Sequence, residues 1–259
     1  MKIKVCSIAA LKDNYIWLLQ ADDAICIVDP GDATACLHHL SQHQLTPSTT
    51  LITHHHHDHT DGLFVLSQTF PLMHSYGPAL DAVPQKYKEI SQQLTITPLN
   101  FPLTFTIFST PGHTLDHLCY YLPIDCGYLF CADTLFSAGC GRIFEGNAEQ
   151  MYSSISRLSA LPDSTLLFPA HEYTLKNIAF ALLIEPNNQD LLDHQVWVEK
   201  QVQSGLPTLP TTLSLEKKIN PFLRLDSPTL TQQVKKLSGK LCNNELSTFI
   251  ALRQLKDNF

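Results

Sequence analysis

The chain has 259 residues, with 17 Lys and Arg against 24 Asp and Glu for a formal charge of -7. At 44% hydrophobic and 16% charged it carries ample material for a packed core, which excludes intrinsic disorder. The negative balance argues against a dedicated nucleic-acid binder, and no apolar run approaches the roughly 18 residues of a membrane-spanning helix.

The apolar stretch near the N-terminus is broken by Lys12 and Asp13, so it offers no signal-peptide core. The eight cysteines form no C-x-x-C pair and read as reduced thiols of a cytoplasmic protein. In chain order, β-rich runs predict strands at 2–8, 14–20, 24–28, 50–53, 70–74, 103–109, 117–122, 127–131 and 165–168. Helical periodicity predicts helices at 33–43, 61–69, 78–92 and 149–160. Beyond about residue 172 the strand signal fades. Helices are expected at 174–184, 187–203 and 228–238, with the Pro/Thr-rich connection GLPTLPTTL at 205–213. The pattern is an α/β layered domain, 1–172, followed by a smaller, mostly helical one, 173–259. Charge follows the same division: residues 214–259 hold 8 basic against 4 acidic side chains in an otherwise acidic chain.

Residues 53–62 read THHHHDHTDG after an apolar run ending at Ile52, and five of the thirteen histidines fall within 54–59. If the chain stays extended there, His54, His56 and Asp58 share one side while His55 and His57 face the other. With His59 at the turn into the next helix, four ligand-type groups converge. Imidazole plus carboxylate suits Zn²⁺, Fe²⁺ or Mn²⁺, and the lack of a Cys ligand argues against a purely structural zinc site. A catalytic or binuclear centre needs further donors. His113 in TPGHT, Asp133 in CADTLF and His171 in FPAHEYT each lie at or just past the C-terminal end of an apolar run.

The succession T-H-x-H-x-D-H, G-H-T, a strand-terminal Asp and a last His resembles the metallo-β-lactamase superfamily. Within it, THHHHDHTDG, STPGHT, FCADTLFSAGCGRIFEG, AHEYT and the terminal LRQLKD resemble the hydroxyacylglutathione hydrolases, or glyoxalase II enzymes. The likeness extends to VDPGD at 28–32, EPNN at 185–188 and KKINPFLR at 217–224. It implies a four-layered αβ/βα sandwich holding two divalent metals, Zn²⁺ first and Fe or Mn otherwise. His54, His56 and His113 would hold one, Asp58, His59 and His171 the other, and Asp133 would bridge them. Asp29 would orient a ligand. Arg142, Phe144, Tyr173, Arg253 and Lys256 match the glutathione-binding positions, which gives the basic tail an anionic partner. The implied reaction is attack of a metal-bridging hydroxide on the thioester of an S-(2-hydroxyacyl)glutathione such as S-D-lactoylglutathione. It releases glutathione and D-lactate, the second step of methylglyoxal detoxification, with Asp58 and Asp133 acting as ligands and orienters.

His57 stands where this family often has Trp, Asp61 where it usually has Gly, Arg142 where it has Lys and Phe144 where it has Tyr. The rivals are a single-iron persulfide dioxygenase of the same superfamily, a nucleic-acid hydrolase, and a non-catalytic metal- or glutathione-binding module. The seven-residue donor set and the terminal R-x-x-K-D favour the hydrolase. No G-x-S-x-G elbow supports a serine triad, Cys140 reads as a small buried thiol, and His74, His117 and His194 lack matching partners. With no heptad in view, the chain reads as a monomer.

Overall fold

The computed structural model describes residues 3–90 and 95–259, in two compact units. The first comprises residues 1–109 and 116–132, the second 110–115 and 133–259.

In the first unit, the apolar-rich runs β1 (Ile3–Ala10) and β2 (Asn14–Ala21) form an antiparallel pair, to which β3 (Ala24–Val28) adds antiparallel. Asp32 caps α1 (Ala33–Gln42) by accepting from the Ala35 amide, and the helix buries Cys36 and Leu40 against Ile16, Leu18, Ile25 and Ile27. The chain then returns as β4 (Thr49–Leu51), parallel to β3. After α2 (His57–Thr60) and α3 (Leu63–Thr69) it adds β5 (His74–Gly77) and β6 (Tyr87–Glu89), both parallel to their neighbours, to complete a six-stranded sheet. β7 (Thr95–Ile96), β8 (Phe105–Ser109), β9 (Leu118–Leu122) and β10 (Tyr128–Ala132) run as an antiparallel meander.

The second unit holds a short ribbon of β11 (Leu135–Phe136) and β12 (Gly139–Cys140). It continues with α4 (Ala148–Ser159), opened by an Asn147–Gln150 capping box, and β13 (Leu166–Pro169). α5 (Thr174–Ile184) and α6 (Gln189–Gln203) follow, then β14 (Thr211–Thr212), which pairs with β13, and α7 (Leu213–Ile219). α8 (Pro228–Ser238) and α9 (Glu245–Asp257) close the chain. Ile178, Ala181, Leu191, Val198 and Ile219 form a core of this unit. Among the described residues no helix is long and apolar enough to cross a membrane.

The expected helix 78–92 does not form: its described part is turns followed by β6, and residues 91–92 lie outside the described residues. Pro78 and Pro84 interrupt the helical ladder there. The strand expected at 70–74 starts only at His74, because the chain first turns through Pro71, closed by the Met73 amide on the Phe70 carbonyl. Residue 2, placed in the first strand by the sequence, also lies outside the described residues.

Candidate metal centre

β3 and β4 run parallel, so the loops leaving Val28 and Leu51 emerge at the same sheet edge. Asp29 begins the first loop, buried and at φ 53°, a left-handed conformation that costs about 1–2 kcal/mol outside glycine. Its carboxylate accepts from the Thr53 amide (2.7 Å), the Thr53 hydroxyl (2.7 Å) and His59 Nδ1 (2.9 Å). Because Asp29 only accepts, His59 carries its proton on Nδ1 and presents the Nε2 lone pair. The Thr53 hydroxyl, committed as a donor to Asp29, accepts from His54 Nδ1 at 3.0 Å, so His54 presents Nε2 as well. Gly31 admits this packing: a Cβ there would lie 1.7 Å from the Asp58 carbonyl oxygen.

The chain leaves β4 two residues earlier than expected, yet the alternation survives. His55 and His57 are exposed and pair with Asp116 and Asp61, while His54, His56, Asp58 and His59 turn inward. His54 Nε2 lies 3.0 Å from His56 Nδ1, and His59 Nε2 lies 3.5 Å from Asp58 Oδ2. Two groups that sequence reasoning passed over hold this cluster. Asn14 donates to Asp58 Oδ2 at 2.9 Å, and His117, expected to lack partners, is buried and stacked on His54 at 4.8 Å. Asn14 had no local signal, because its partner is 44 residues away.

In the second unit, Asp133 stands between two imidazoles, with Oδ2 at 3.3 Å from His113 Nε2 and Oδ1 at 3.4 Å from His171 Nε2. His113 Nδ1 donates to the Arg142 carbonyl at 2.8 Å, which again turns Nε2 inward. Gly141 packs on the Asp133 carbonyl so closely that a Cβ would lie 1.9 Å from it. His171 stacks on Tyr173, rings 4.7 Å apart and 3° from parallel.

Two donors at about 2.0–2.1 Å from one tetrahedral ion are about 3.3 Å apart. The four spacings within the units, 3.0, 3.5, 3.3 and 3.4 Å, are of that size. His54, His56, Asp58 and His59 in the first unit, and His113, Asp133 and His171 in the second, thus each offer donors at the spacing of ligands on a metal ion. The donor set fits divalent metals, two of them by its number.

The five positions matched to glutathione binding all lie in the second unit. Phe144 is 61% exposed with its ring edge-on to His113 at 5.3 Å. Arg142 is exposed and pairs with Asp257 at 3.5 Å. Arg253 and Lys256 both fall on α9, but Arg253 is buried. Its guanidinium donates to the Cys140 carbonyl (3.0 Å) and to Asp257 (3.2 Å from Nε). Lys256 lies over the Phe180 and Phe259 rings at 4.9 and 5.2 Å. Burial chiefly, with Arg253 next, pulls its pKa down to about 8. Burial pushes the Cys140 thiol up, in keeping with an inert side chain.

Residues 11–171 match the model of the metallo-β-lactamase superfamily, and residues 172–259 match that of the hydroxyacylglutathione hydrolase C-terminus. A hydroxyacylglutathione hydrolase of Nitrosomonas eutropha is 44% identical over 257 residues, covering 99% of both chains. Hydroxyacylglutathione hydrolase 2 of Vibrio vulnificus is 46% identical over 261 residues, 99% of this chain and 100% of that one. Among solved structures, the BLEG-1 B3 metallo-β-lactamase superposes with a TM-score of 0.64 at 23% identity, over 85% of this chain and 100% of its own. ETHE1 from Myxococcus xanthus does so with 0.61 at 24%, over 85% and 84%. These structural likenesses establish the α/β metallo-β-lactamase fold, here with a helical C-terminal region. The full-length relatives and both family models together make this chain a member of the hydroxyacylglutathione hydrolase family.

Proposed function

We propose that the protein hydrolyses S-(2-hydroxyacyl)glutathione thioesters, S-D-lactoylglutathione foremost, to glutathione and a 2-hydroxy acid, and so serves the second step of methylglyoxal detoxification. The observation that carries this reading is Asp133, which offers one oxygen to each of His113 and His171 at the spacing of ligands around shared ions. On it, His54, His56 and His113 would hold one divalent metal and Asp58, His59 and His171 the other, with Asp133 shared between them; Zn²⁺ would be the first choice, Fe or Mn the alternatives. Such a pair, when bound, would acidify a water so that hydroxide is available near neutral pH, and would supply positive charge to the thioester carbonyl.

The chain's own residues do the rest. Asp29, Thr53 and the Arg142 carbonyl fix the tautomers of His59, His54 and His113, so none of these three rings has to reorganise. Asp58 and Asp133 orient and donate no proton. Arg142, Phe144, Tyr173, Arg253 and Lys256 receive the glutathione part, with Arg253 reaching a carboxylate only by loosening Asp257. Water oxygen bonds to the thioester carbon, the C–S bond breaks, and glutathione leaves as a thiolate that needs little acid assistance. Residues 1–172 are then the catalytic domain and 173–259 the substrate-binding domain of a cytoplasmic monomer whose eight cysteines stay reduced. All eight are free thiols in the structure.

The test is loss of the thioester absorbance of S-D-lactoylglutathione, before and after chelation, with metal counted in the same sample. Chelator-sensitive turnover with close to two metals per chain is expected. Two metals without turnover would overturn the substrate assignment, and one iron with oxygen uptake on glutathione persulfide would transfer the protein to the dioxygenases.

A further inference from the structure

Helix α7 carries a carboxylate that never meets solvent. Glu216 is 0% exposed and accepts four hydrogen bonds. Oε1 receives the hydroxyls of Ser137 (2.9 Å) and Thr211 (2.8 Å), and Oε2 receives the Ala138 amide (2.8 Å) and Asn220 Nδ2 (3.1 Å). Burial raises its pKa and these donors oppose the rise. Neither the metal donors nor the substrate positions use this residue.

What Glu216 grips is the turn between β11 and β12. Asn220 also donates to the Phe136 and Gly139 carbonyls, each at 3.0 Å, and Asn177 donates to the Ser137 carbonyl at 3.0 Å. Ala138 sits in the turn at φ 54°, a left-handed conformation that an alanine keeps only where its surroundings impose it. Asp133 lies two residues before this ribbon, and Gly141 and Arg142 follow it directly. Gly141 is packed on the Asp133 carbonyl, and the Arg142 carbonyl takes the His113 Nδ1 proton. The ribbon therefore sets where two of the donors stand.

We propose that Glu216 is a positioning residue for the metal centre: acting through the ribbon 135–140, it holds Asp133 and His113 in the geometry that retains metal, without touching metal or substrate. This rests on the metal centre proposed above. The hydrogen bonds dictate which replacement preserves it. Ala138 N and Asn220 Nδ2 can only donate, because the Asn220 oxygen is already committed to the Phe222 amide, whereas the two hydroxyls can reverse and accept. Glutamine therefore fits, with its oxygen toward Ala138 and its amide toward Ser137 and Thr211. Methionine has similar bulk and no acceptor.

The experiment compares wild-type holoenzyme with Glu216→Gln and Glu216→Met. It records metal loss to a chromophoric chelator, kcat and KM on S-D-lactoylglutathione, and thermal unfolding. Glu216→Met is expected to lose metal affinity and kcat by about tenfold or more with KM changed less than about threefold, at a temperature where the variant is folded; Glu216→Gln is expected to stay within about threefold throughout. A folded Glu216→Met variant with wild-type chelator resistance and kcat would overturn the proposal, since destabilisation alone moves only the unfolding curve. Should Glu216→Met not fold, Ser137→Ala decides, with a measurable loss of chelator resistance expected and none overturning the role. If the wild type binds two metals without hydrolysing the thioester, the substrate reading fails while the chelator comparison still decides on Glu216.

Discussion

Asp133 sets one carboxylate oxygen against each of two imidazoles, and an amide offers an oxygen to only one of them. Asp133→Asn keeps the size of the side chain but replaces one acceptor oxygen with a donor facing an imidazole lone pair 3.3–3.4 Å away. Metal content and turnover are expected to fall together; a variant with both metals and full rate, shown by metal analysis and assay, would remove Asp133 from the centre. Phe144 exposes its ring beside His113 and offers no hydroxyl. Phe144→Tyr adds a donor of the kind worth about 1.5–3 kcal/mol against a charged partner, so KM should fall with kcat little changed. An unchanged KM would show that the position does not contact substrate. In the proposed binding site Lys256 would set a pH dependence. With its pKa lowered to about 8 by burial and by Arg253, and with Cys140 and Lys176 as its other titratable neighbours, it is charged below pH 8 and neutral above. KM for the anionic substrate is expected to rise as pH passes through about 8. Lys256→Met should flatten that rise, and identical KM profiles would exclude the role.

At the scale of elements, two glycines let backbone segments pass where no side chain fits. Gly141→Ala would press a methyl into the Asp133 carbonyl, 1.9 Å away as built, so the β12 end must shift and take the Arg142 carbonyl from His113. Loss of one metal and a lowered unfolding temperature are expected from metal analysis and calorimetry; wild-type values for both would show that the loop yields freely. The histidine loop was legible as a candidate site because five histidines in six positions after an apolar strand have no packing explanation. The helices 174–184 and 228–238 were legible from period and punctuation, the latter with Ser227 and Pro228 at its start and Gly239 at its end. α7, at seven residues, and the two-residue strands β11 and β12 are too short to carry a period. The bracing of Ser137 by Glu216 spans 79 positions and leaves no local trace.

Over the whole molecule, metal and stability are linked, because ions held by the folded chain favour it over the unfolded one. At a free metal concentration about 100 times the dissociation constant, each site adds about 2.7 kcal/mol. For a chain of this size that is about 5–10 °C in Tm per site. Calorimetry of the holoenzyme against the chelated protein should show such a drop, reversed by added Zn²⁺; coincident curves would mean that the metals contribute nothing to folding.

The donors are also distributed in time. His54 to His59 are made early, Asp133 follows 74 residues after His59, and His171 comes 112 residues after it. At about 5–20 residues per second, ribosomes need roughly 6–20 s to bridge the longer interval. During it the emerging polypeptide offers three imidazoles and one carboxylate, clustered on a loop whose orienting partner, Asp29, has already been translated. In the proposed centre the histidine loop is therefore the part made available first, well before Asp133 and His171.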